Sequence, residues 1–383
     1  MSERLQSSVI QFQPLKTDKM KVNMGPQHPS THGVLRLVVT TDGEIVDAVE
    51  PVIGYLHRCK EKCGENLGYP QFMPYTDRLD YLAAMNNNWC YAMAVEKMAG
   101  LKIPERCEYI RVIIGELNRI ASHLLAVGTY GLDIGTFTPF LYCFHEREKI
   151  LDLFEAVCGA RLTYNYYRIG GLANDLPEGF VGETRKFLDF FETRIDELDE
   201  LLSENFIFIK RTANVGVFPA KLAMDHGVTG PNLRASGVPK DLRRNAPYSI
   251  YDQLQFDVIV GRGEKGTLGD CWDRYNCRVR EMRESVRIVR QCLDKLPGGE
   301  WKTKVPPIIK PPKGHFLFKA ENPKGELGYY IISDGTPKPS RLRIRAPSFC
   351  NLSFLPAISH GVMIADLIAI LGSIDIVLGE VDR

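Results

Sequence analysis

The sequence lacks the long apolar run that a membrane-spanning helix needs. No uninterrupted hydrophobic stretch approaches the roughly 18 residues that would suggest such a span. Residues 1–21 mix charged and polar side chains without the continuous apolar segment of a secretory signal, so we expect no secretory export. Any link to a membrane is therefore expected to depend on partner proteins.

The sequence also has little net charge and no Cys-x-x-Cys pair. Its 48 lysines and arginines nearly balance 47 aspartates and glutamates, and the net charge of +1 gives no electrostatic reason to expect nucleic acid or an anionic membrane surface. There are 10 cysteines, but none are spaced as Cys-x-x-Cys. A disulfide-stapled secreted fold is not expected at this length, so we predict reduced thiols in a cytoplasmic-type compartment.

The pattern that is present is mainly helical, with small β regions. A chain of 383 residues with 44% hydrophobic residues can form a large core. β-Hairpins are predicted over residues 33–53, with a turn at Asp42-Gly43, and over residues 329–345. Helices are predicted from the apolar periodicity and the Pro and Gly positions over residues 77–98, 104–124, 140–158, after 178, 270–296 and 356–371.

These elements predict an α+β fold that is mainly α, a helical bundle with an N-terminal β hairpin or sheet. The predicted organisation is a flexible N-terminal segment (1–20), an N-terminal β region with a functional loop (21–65) and a helical bundle (66–300). The C-terminal part (301–383) is predicted to contain a β-hairpin, a helix and a buried tail.

A glycine-rich motif at residues 261–266, GRGEKG, matches the G-x-G-x-x-G pattern of dinucleotide-binding loops and follows the strand-like residues 256–260. A dinucleotide site would also need a βαβ unit and an acidic residue at the end of a second strand. The nearby acids, Glu281 and Glu284, fall inside a predicted charged helix. We therefore do not predict nucleotide binding.

The last nine residues, DIVLGEVDR, look like the C-terminal Asp-Pro-Cys-x-x-Cys signature of nickel–iron hydrogenase large subunits without its cysteines. Val377 and Glu380 stand where those cysteines would be. In the matching N-terminal half of that metal site, Asp80 and Ala83 stand at the cysteine positions. Thiolates are the soft ligands that such a metal needs, so we expect no metal here.

Further motifs accompany this altered signature. They are GPQHPSTHG at 25–33, PYTDRLDY at 74–81, ELNR at 116–119, DIG at 133–135 and GEVDR at 379–383. From about Met20 to Arg383 the chain thus closely resembles the quinone-site subunit of respiratory complex I, the 49-kilodalton or D subunit. The resemblance implies a fold like that of hydrogenase large subunits.

Five residues are candidates for a functional site, and each also has an ordinary structural interpretation. His32 lies in a proline-containing loop and could be a turn histidine, while Tyr81 could be a core aromatic. Asp133, with Thr129 one helical turn before it, could be a helix-terminal carboxylate. Arg58 could be an exposed surface arginine.

The resemblance implies more specific roles for the same five residues. It implies that quinone is the substrate and that His32 and Tyr81 bind its two oxygens. Asp133 would pair with His32, and Thr129 would line the same cavity. Arg58 would face a 4Fe-4S cluster in an adjacent subunit. No metal or cofactor is expected to be held by this chain alone.

The function implied by the resemblance is quinone reduction in a proton-pumping NADH:quinone oxidoreductase. The expected partners are the iron–sulfur subunit, other peripheral-arm subunits and the membrane-arm subunit of the quinone channel. The expected location is peripheral, on the cytoplasmic face of a bacterial inner membrane or the matrix side in an organelle. A sister complex driven by ferredoxin or another donor and a metal-free, non-catalytic scaffold stay open as alternatives, whereas a true hydrogenase would need four metal thiolates.

Overall fold

The structure is a computed structural model that describes residues 19–383. Helices form most of it, and three small antiparallel sheets lie beside them, so the predicted α+β class is confirmed. Of the predicted flexible segment, residues 1–20, the first 18 lie outside the described residues. The other predicted domain limits stay a prediction.

Within residues 19–383 the strands form three sheets, of three, two and three strands. In chain order they are β1 (Met20–Met24), β2 (Arg36–Asp42), β3 (Ile45–Val52), β4 (Tyr167–Arg168), β5 (Gly171–Leu172), β6 (Gly314–Asn322), β7 (Gly325–Ser333) and β8 (Arg341–Arg345).

The helices include three that exceed 20 residues, and these make up much of the bundle. In chain order they are α1 (Lys60–Asn66), α2 (Tyr69–Thr76), α3 (Ala84–Ala99), α4 (Glu105–Asp133), α5 (Thr138–Cys158), α6 (Phe180–Leu198), α7 (Phe206–Thr212), α8 (Ala220–Asp225), α9 (Pro231–Ala235), α10 (Leu242–Asn245), α11 (Cys271–Asp294), α12 (Pro347–Leu352), α13 (Leu355–Ile358), α14 (Ile364–Ile374) and α15 (Leu378–Asp382).

The central helix of the bundle is α4, which packs against α5, α11 and α14. The helix begins after Pro104 and has Glu105 and Glu108 in its first turn, where acidic side chains stabilise the positive end of the helix dipole. Its apolar residues recur every three or four positions, and those used for the prediction are buried: Ile110, Ile113, Ile114, Leu117, Ile120 and Leu124. This packing fixes Asp133, the last residue of α4.

Both predicted hairpins are present, and each gains a strand that was not predicted. In the first sheet β1 pairs with the far edge of β2, with Val22 opposite Val39. Four of the five β1 residues are exposed, so β1 has no apolar alternation that would reveal a strand. In the C-terminal sheet β6 pairs with β7, and β7 with β8.

The helix predicted over residues 77–98 is wrong at its beginning. Helix α2 ends at Thr76, residues 77–83 form turns, and α3 begins only at Ala84. Asp80 Oδ1 accepts hydrogen bonds from the backbone nitrogens of Leu82, at 3.1 Å, and Ala83, at 3.3 Å. A side chain that bonds to nearby backbone N–H groups favours a turn over a helix interior, so Tyr81 lies in a turn.

The helix predicted over residues 356–371 is also wrong, because the chain forms two helices there, separated by a short non-helical segment that contains a turn. Gly361 has a positive φ of 77°. Its nitrogen donates to Val46 O at 2.8 Å, and the nitrogen of Ile364 donates to Glu44 O at 3.1 Å. The segment between α13 and α14 thus pairs with the edge of β3 and positions α14 against the N-terminal sheet.

The glycine-rich motif at residues 261–266 does not belong to a βαβ unit. Residues 256–260 form no strand, and the next long helix, α11, begins at Cys271. The backbone nitrogens of Gly263 and Gly269 donate to the carboxylate of Asp273, at 3.0 and 3.1 Å. The N–H groups of this loop therefore bind a carboxylate of the chain itself.

Across residues 19–383, no helix combines the length and apolar character needed to cross a membrane. All ten cysteines lie in this range and are free thiols, six of them buried.

Candidate functional site

His32 is held by a compact loop between β1 and β2. Residues 29–31 form one turn of 3-10 helix, and the His28 side chain accepts a hydrogen bond from the backbone nitrogen of Ser30 at 3.2 Å. His32 then has a left-handed conformation with φ of 51°. Such a conformation is uncommon outside glycine, and here it turns the chain into Gly33 and the short segment that leads to β2.

The loop brings His32 to the end of α4, where it contacts Asp133. Nε2 of His32 donates a hydrogen bond to Asp133 Oδ2 over 2.6 Å. The two side chains are 17% and 9% exposed, so solvent screens their interaction only weakly. Burial lowers the pKa of His32, but the hydrogen bond and charge of Asp133 and the charge of Asp375 outweigh burial, and the pKa is raised above 6.5. The pairing of His32 with Asp133 is therefore present.

The Asp133 carboxylate also lies close against α14. A Cβ at Gly372 would be 2.4 Å from Asp133 Oδ2 and 2.8 Å from the ring of Tyr130. These distances are shorter than any van der Waals contact, so a glycine is needed at this position for α4 and α14 to approach. Gly372 thus helps to place the carboxylate beside His32.

Tyr81 approaches the same region through the C-terminal tail. A Cβ at Gly379 would be 3.3 Å from Cε1 of Tyr81, and a Cβ at Gly33 would be 3.7 Å from Cδ1 of Leu378. The loop of His32 and the ring of Tyr81 therefore contact adjacent residues of one short segment. The Tyr81 hydroxyl makes no hydrogen bond to any residue in 19–383, which leaves it available to a ligand.

Thr129 and Arg58 are less closely associated with this group. Thr129 lies one turn before Asp133 on α4, and its Oγ1 donates to Leu125 O at 2.8 Å. Arg58 is exposed, in the segment that precedes α1. Neither of the two forms a hydrogen bond with His32, Tyr81 or Asp133 in the described part of the chain. Their predicted roles stay predictions.

Arg58 lies at a cationic cleft rather than at an isolated surface position. The lining residues of the cleft are Arg58, Lys60, Cys63, Pro74, Tyr75 and Arg78. The Lys60 Nζ is buried and donates to the carbonyl oxygens of Arg78 and, at 3.2 Å, Gly379. Burial lowers the pKa of Lys60 to about 8, and the charge of Arg58 contributes to this lowering. This amine links the cleft to the turn of Tyr81 and to the tail.

Two of the four positions that the sequence resemblance matches to hydrogenase cysteines hold buried acids, Asp80 and Glu380. Lys324, in the turn between β6 and β7, lies 3.3 Å from Asp80 Oδ2 and donates to Ser122 Oγ at 3.0 Å. Its Nζ is also 3.6 Å from Asp375 Oδ2. Burial lowers the pKa of Lys324, but Asp375, Asp80 and Glu380 together raise it above 10.5, so the amine stays charged.

Glu380 differs from the other acids because it has no ion pair within residues 19–383. Its Oε1 accepts hydrogen bonds from the backbone nitrogen, at 2.9 Å, and the hydroxyl of Ser348, whereas Oε2 is buried without a partner. Burial raises the pKa of Glu380, and the charge of Asp80 adds to the rise, giving a value of about 8. The carboxyl group is therefore mainly protonated at neutral pH.

The described residues contain no group of three His, Cys, Asp or Glu side chains that could hold a metal ion. Lys324, with its three acidic neighbours, is the part of this region that sequence reasoning missed. It is a single lysine next to a turn, and its partners Asp80, Ser122 and Asp375 are distant in the sequence. No local pattern could have marked it.

Comparison with known proteins identifies the family. The sequence profile described as "Respiratory-chain NADH dehydrogenase, 49 Kd subunit" matches residues 133–316 and 305–383. These two segments together extend from Asp133 to the C-terminus, which is more than half of the chain.

Similar proteins match over nearly the whole length. The D subunit of NADH-quinone oxidoreductase from Chlorobium chlorochromatii is 52% identical over 387 aligned positions, covering 100% of this chain and 97% of the relative. A D subunit of the same enzyme from Cytophaga hutchinsonii is 54% identical, with 98% of each protein covered. The D subunit from Pelodictyon phaeoclathratiforme is 54% identical, with coverage of 98% and 95%. The chain therefore belongs to the family of the 49-kilodalton subunit of respiratory-chain NADH dehydrogenase.

Proposed function

We propose that this chain is the quinone-site subunit of a proton-pumping NADH:quinone oxidoreductase. In this proposal it forms a quinone pocket together with an adjacent subunit that holds a 4Fe-4S cluster. Quinone is bound between His32 and Tyr81 and is reduced to quinol. The similar proteins are named as D subunits of NADH-quinone oxidoreductase, and these names support the substrate and the complex.

The observation on which the proposal depends most is the His32–Asp133 hydrogen bond of 2.6 Å. Asp133 accepts this bond from Nε2, and Nδ1 of His32 makes no hydrogen bond to residues 19–383. When the ring is charged, Nδ1–H can therefore donate to a carbonyl oxygen of quinone. The raised pKa of His32 increases the charged fraction near neutral pH.

Tyr81 is suited to the second quinone oxygen because its hydroxyl has no partner among the described residues. Burial raises the pKa of Tyr81, and the charge of Asp80 adds to this, while Lys324 opposes it. The phenol therefore stays protonated and can donate a hydrogen bond. Reduction of one quinone takes two electrons and two protons, and the two side chains supply one proton each. His32 keeps the proton on Nε2 that is bonded to Asp133, and both residues are then reprotonated from solvent.

The electrons are proposed to arrive one at a time from the cluster of the adjacent subunit. The cleft that contains Arg58, Lys60 and Arg78 is the surface that we assign to this partner. A fixed positive charge close to a cluster raises the reduction potential of that cluster. The cluster nearest to quinone would then hold an electron more readily. Lys60 joins this surface to the backbone of the tail beside Tyr81.

The proposed place of the chain is the peripheral arm of the complex, on the cytoplasmic face of the bacterial membrane or the matrix side of an organelle. There it would contact the iron–sulfur subunit, other peripheral-arm subunits and the membrane-arm subunit that admits quinone. Thr129, on the same helix as Asp133, is assigned to the wall of the quinone cavity.

The test uses membranes that contain the complex with Tyr81→Phe. NADH oxidation is measured with quinone and, separately, with an artificial acceptor that takes electrons from the upstream flavin. Loss of a general acid typically lowers a rate by about 10²-fold or more. We expect quinone reduction to fall by about that factor while the artificial reaction persists.

Tyr142→Phe is the matched control, because Tyr142 is 43% exposed on α5 and lies outside the proposed site. It should leave both reactions unchanged. If Tyr81→Phe retains both reactions, the site assignment is wrong. If both reactions vanish because no complex assembles, a scaffold role explains the result better than the proposed chemistry. Use of a ferredoxin instead of NADH by the wild-type complex would favour the sister complex.

A further inference from the structure

We propose that the buried ammonium group of Lys324 acts as a fixed cation between the turn of Asp80 and the end of α14, and that its charge sets the electrostatics of both quinone-binding side chains. This inference rests on the proposed function, since it concerns proton donation by His32 and Tyr81. Lys324 is a positioning residue here, because it acts through neighbouring acids and has no assigned contact with quinone.

The geometry places the amine between these two segments. Asp80 belongs to the turn after α2, and Asp375 lies directly after α14, yet Nζ of Lys324 is 3.3 Å from the first and 3.6 Å from the second. Ser122 Oγ, on α4, accepts a hydrogen bond from the same nitrogen at 3.0 Å. The Lys324 side chain is 0% exposed. A buried amine held by two acids and a hydroxyl is the arrangement expected of a fixed cation.

The charges of this cluster balance when Glu380 is protonated. The cations that face it are Lys324 and Arg278, and Nε of Arg278 is 3.7 Å from Asp375 Oδ2. The acids that form ion pairs with these cations are Asp80 and Asp375. Glu380 forms no ion pair within the described residues, although the charges of Lys324 and Lys60 act on it, and its Oε2 has no hydrogen-bond partner. Two cations thus form ion pairs with two acids. Within residues 19–383 the only ion pair of Asp80 is the one with Lys324, so loss of Lys324 would leave this buried carboxylate without a cation partner.

Each acid that forms an ion pair with Lys324 also acts electrostatically on one of the proposed quinone-binding residues. Asp80 directly precedes Tyr81 in the turn, and its charge raises the pKa of that phenol. Asp375 raises the pKa of His32, together with Asp133. The titratable and charged groups that face Lys324 are Asp80, Asp375 and Glu380. An uncompensated Asp80 would disfavour the phenolate that Tyr81 forms as it gives its proton to the reduced quinone.

The test compares Lys324→Met, Lys324→Arg, Asp80→Asn and the double variant Lys324→Met/Asp80→Asn in the membrane-bound complex. Asparagine can still accept the backbone bonds of Leu82 and Ala83 through its side-chain oxygen. Quinone reduction and the artificial-acceptor reaction are measured from pH 6 to 9. Lys265→Met is the matched control, because Lys265 pairs with the exposed Glu204.

We expect Lys324→Met to lower quinone reduction roughly tenfold, to move the alkaline limb of its pH profile to higher pH, and to leave the artificial reaction intact. Lys324→Arg should retain the wild-type profile. The double variant should recover most of the rate, since it removes one cation and one anion together. A double-mutant cycle then isolates this coupling from the separate effect of each change.

A wild-type rate and profile for Lys324→Met would overturn the inference. So would a double variant that recovers neither rate nor profile, including the case in which Lys324→Met alone prevents assembly. Tyr81→Phe is measured in the same series. If Tyr81→Phe retains quinone reduction, the proposed function fails; if it blocks quinone reduction while Lys324→Met behaves as wild type, the Lys324 inference alone fails.

Discussion

Gly372 leaves the space that the carboxylate of Asp133 occupies. The point at which a Cβ of residue 372 would stand is 2.4 Å from Asp133 Oδ2, the same oxygen that accepts the hydrogen bond of His32. Helix α14 therefore affects the proposed quinone site because it has no side chain at position 372, which leaves room for the Asp133 carboxylate. At this contact the N-terminal loop, the end of α4 and α14 meet, so a shift of one changes the positions of the others.

Gly372→Ala is expected to displace Asp133 and weaken its bond to His32. Overpacking of a closely packed contact typically costs about 1–3 kcal/mol, because neighbouring groups must move. Quinone reduction should fall about tenfold or more, while the artificial-acceptor reaction of the assembled complex persists. The measurement is the ratio of the two rates in membranes.

Gly182→Ala is the matched control for this change. Gly182 is also helical, in α6, and a Cβ there has no heavy atom within 4 Å. Because alanine favours a helix by about 1 kcal/mol over glycine, this variant should be neutral or slightly more stable. An unchanged rate ratio for Gly372→Ala would show that Asp133 does not depend on this space.

Asp133→Asn tests the charge of the pair rather than its shape. An amide can still accept the hydrogen bond of His32 but does not favour the charged ring, so the pKa of His32 should fall. The imidazolium is then lost at lower pH, and the alkaline limb of the quinone-reduction profile should move to lower pH. The rate at pH 8 should fall roughly tenfold.

Asp366→Asn is a suitable control for Asp133→Asn, because Asp366 pairs with Arg211 at the surface of α14. It should leave the profile unchanged. A profile for Asp133→Asn that coincides with the wild type would show that the His32 proton is not used in the reaction.

Local patterns predict those elements whose formation depends on local residues. Helix α4 is predicted because its apolar residues recur at helical spacing, and they are buried. The division between α13 and α14 is not predicted, because it depends on backbone bonds from Gly361 and Ile364 to the start of β3 and the turn before it, more than 300 residues earlier in the chain. The late beginning of α3 depends on one side chain, Asp80, whose bonds to nearby backbone nitrogens compete with the helix.

The candidate site could likewise be predicted only in part from local sequence patterns. Each of His32, Tyr81 and Asp133 alone has a common structural interpretation. They became candidates only because the motifs around them resemble those of a known family. The structure brings His32 into hydrogen-bond contact with Asp133, 101 residues away. Lys324 has partners at positions 80, 122 and 375, so its importance is visible only after folding.

Glu380→Gln tests whether the buried carboxyl group of Glu380 is protonated. The pKa of Glu380 is raised by burial to about 8 in the folded chain, against 4.5 as its ordinary value. Between these two values the folded state binds more protons than the unfolded state, so stability falls as pH rises, by up to about 1.4 kcal/mol per pH unit. Below pH 4.5 Glu380 is protonated in both the folded and the unfolded chain, and its contribution to folding stability is fully present.

Glutamine cannot ionise, so the variant should lose this part of the pH dependence. The measurement is the midpoint of heat-induced protease sensitivity of this subunit in the purified complex, at pH 6 and pH 8. The wild-type midpoint should fall between these two conditions, and the Glu380→Gln midpoint should fall less. Glu204→Gln, at an exposed pair with Lys265, should behave as wild type. An equal fall in wild type and Glu380→Gln would mean that Glu380 is already ionised at pH 6, in which case the charge balance around Lys324 would need a third cation.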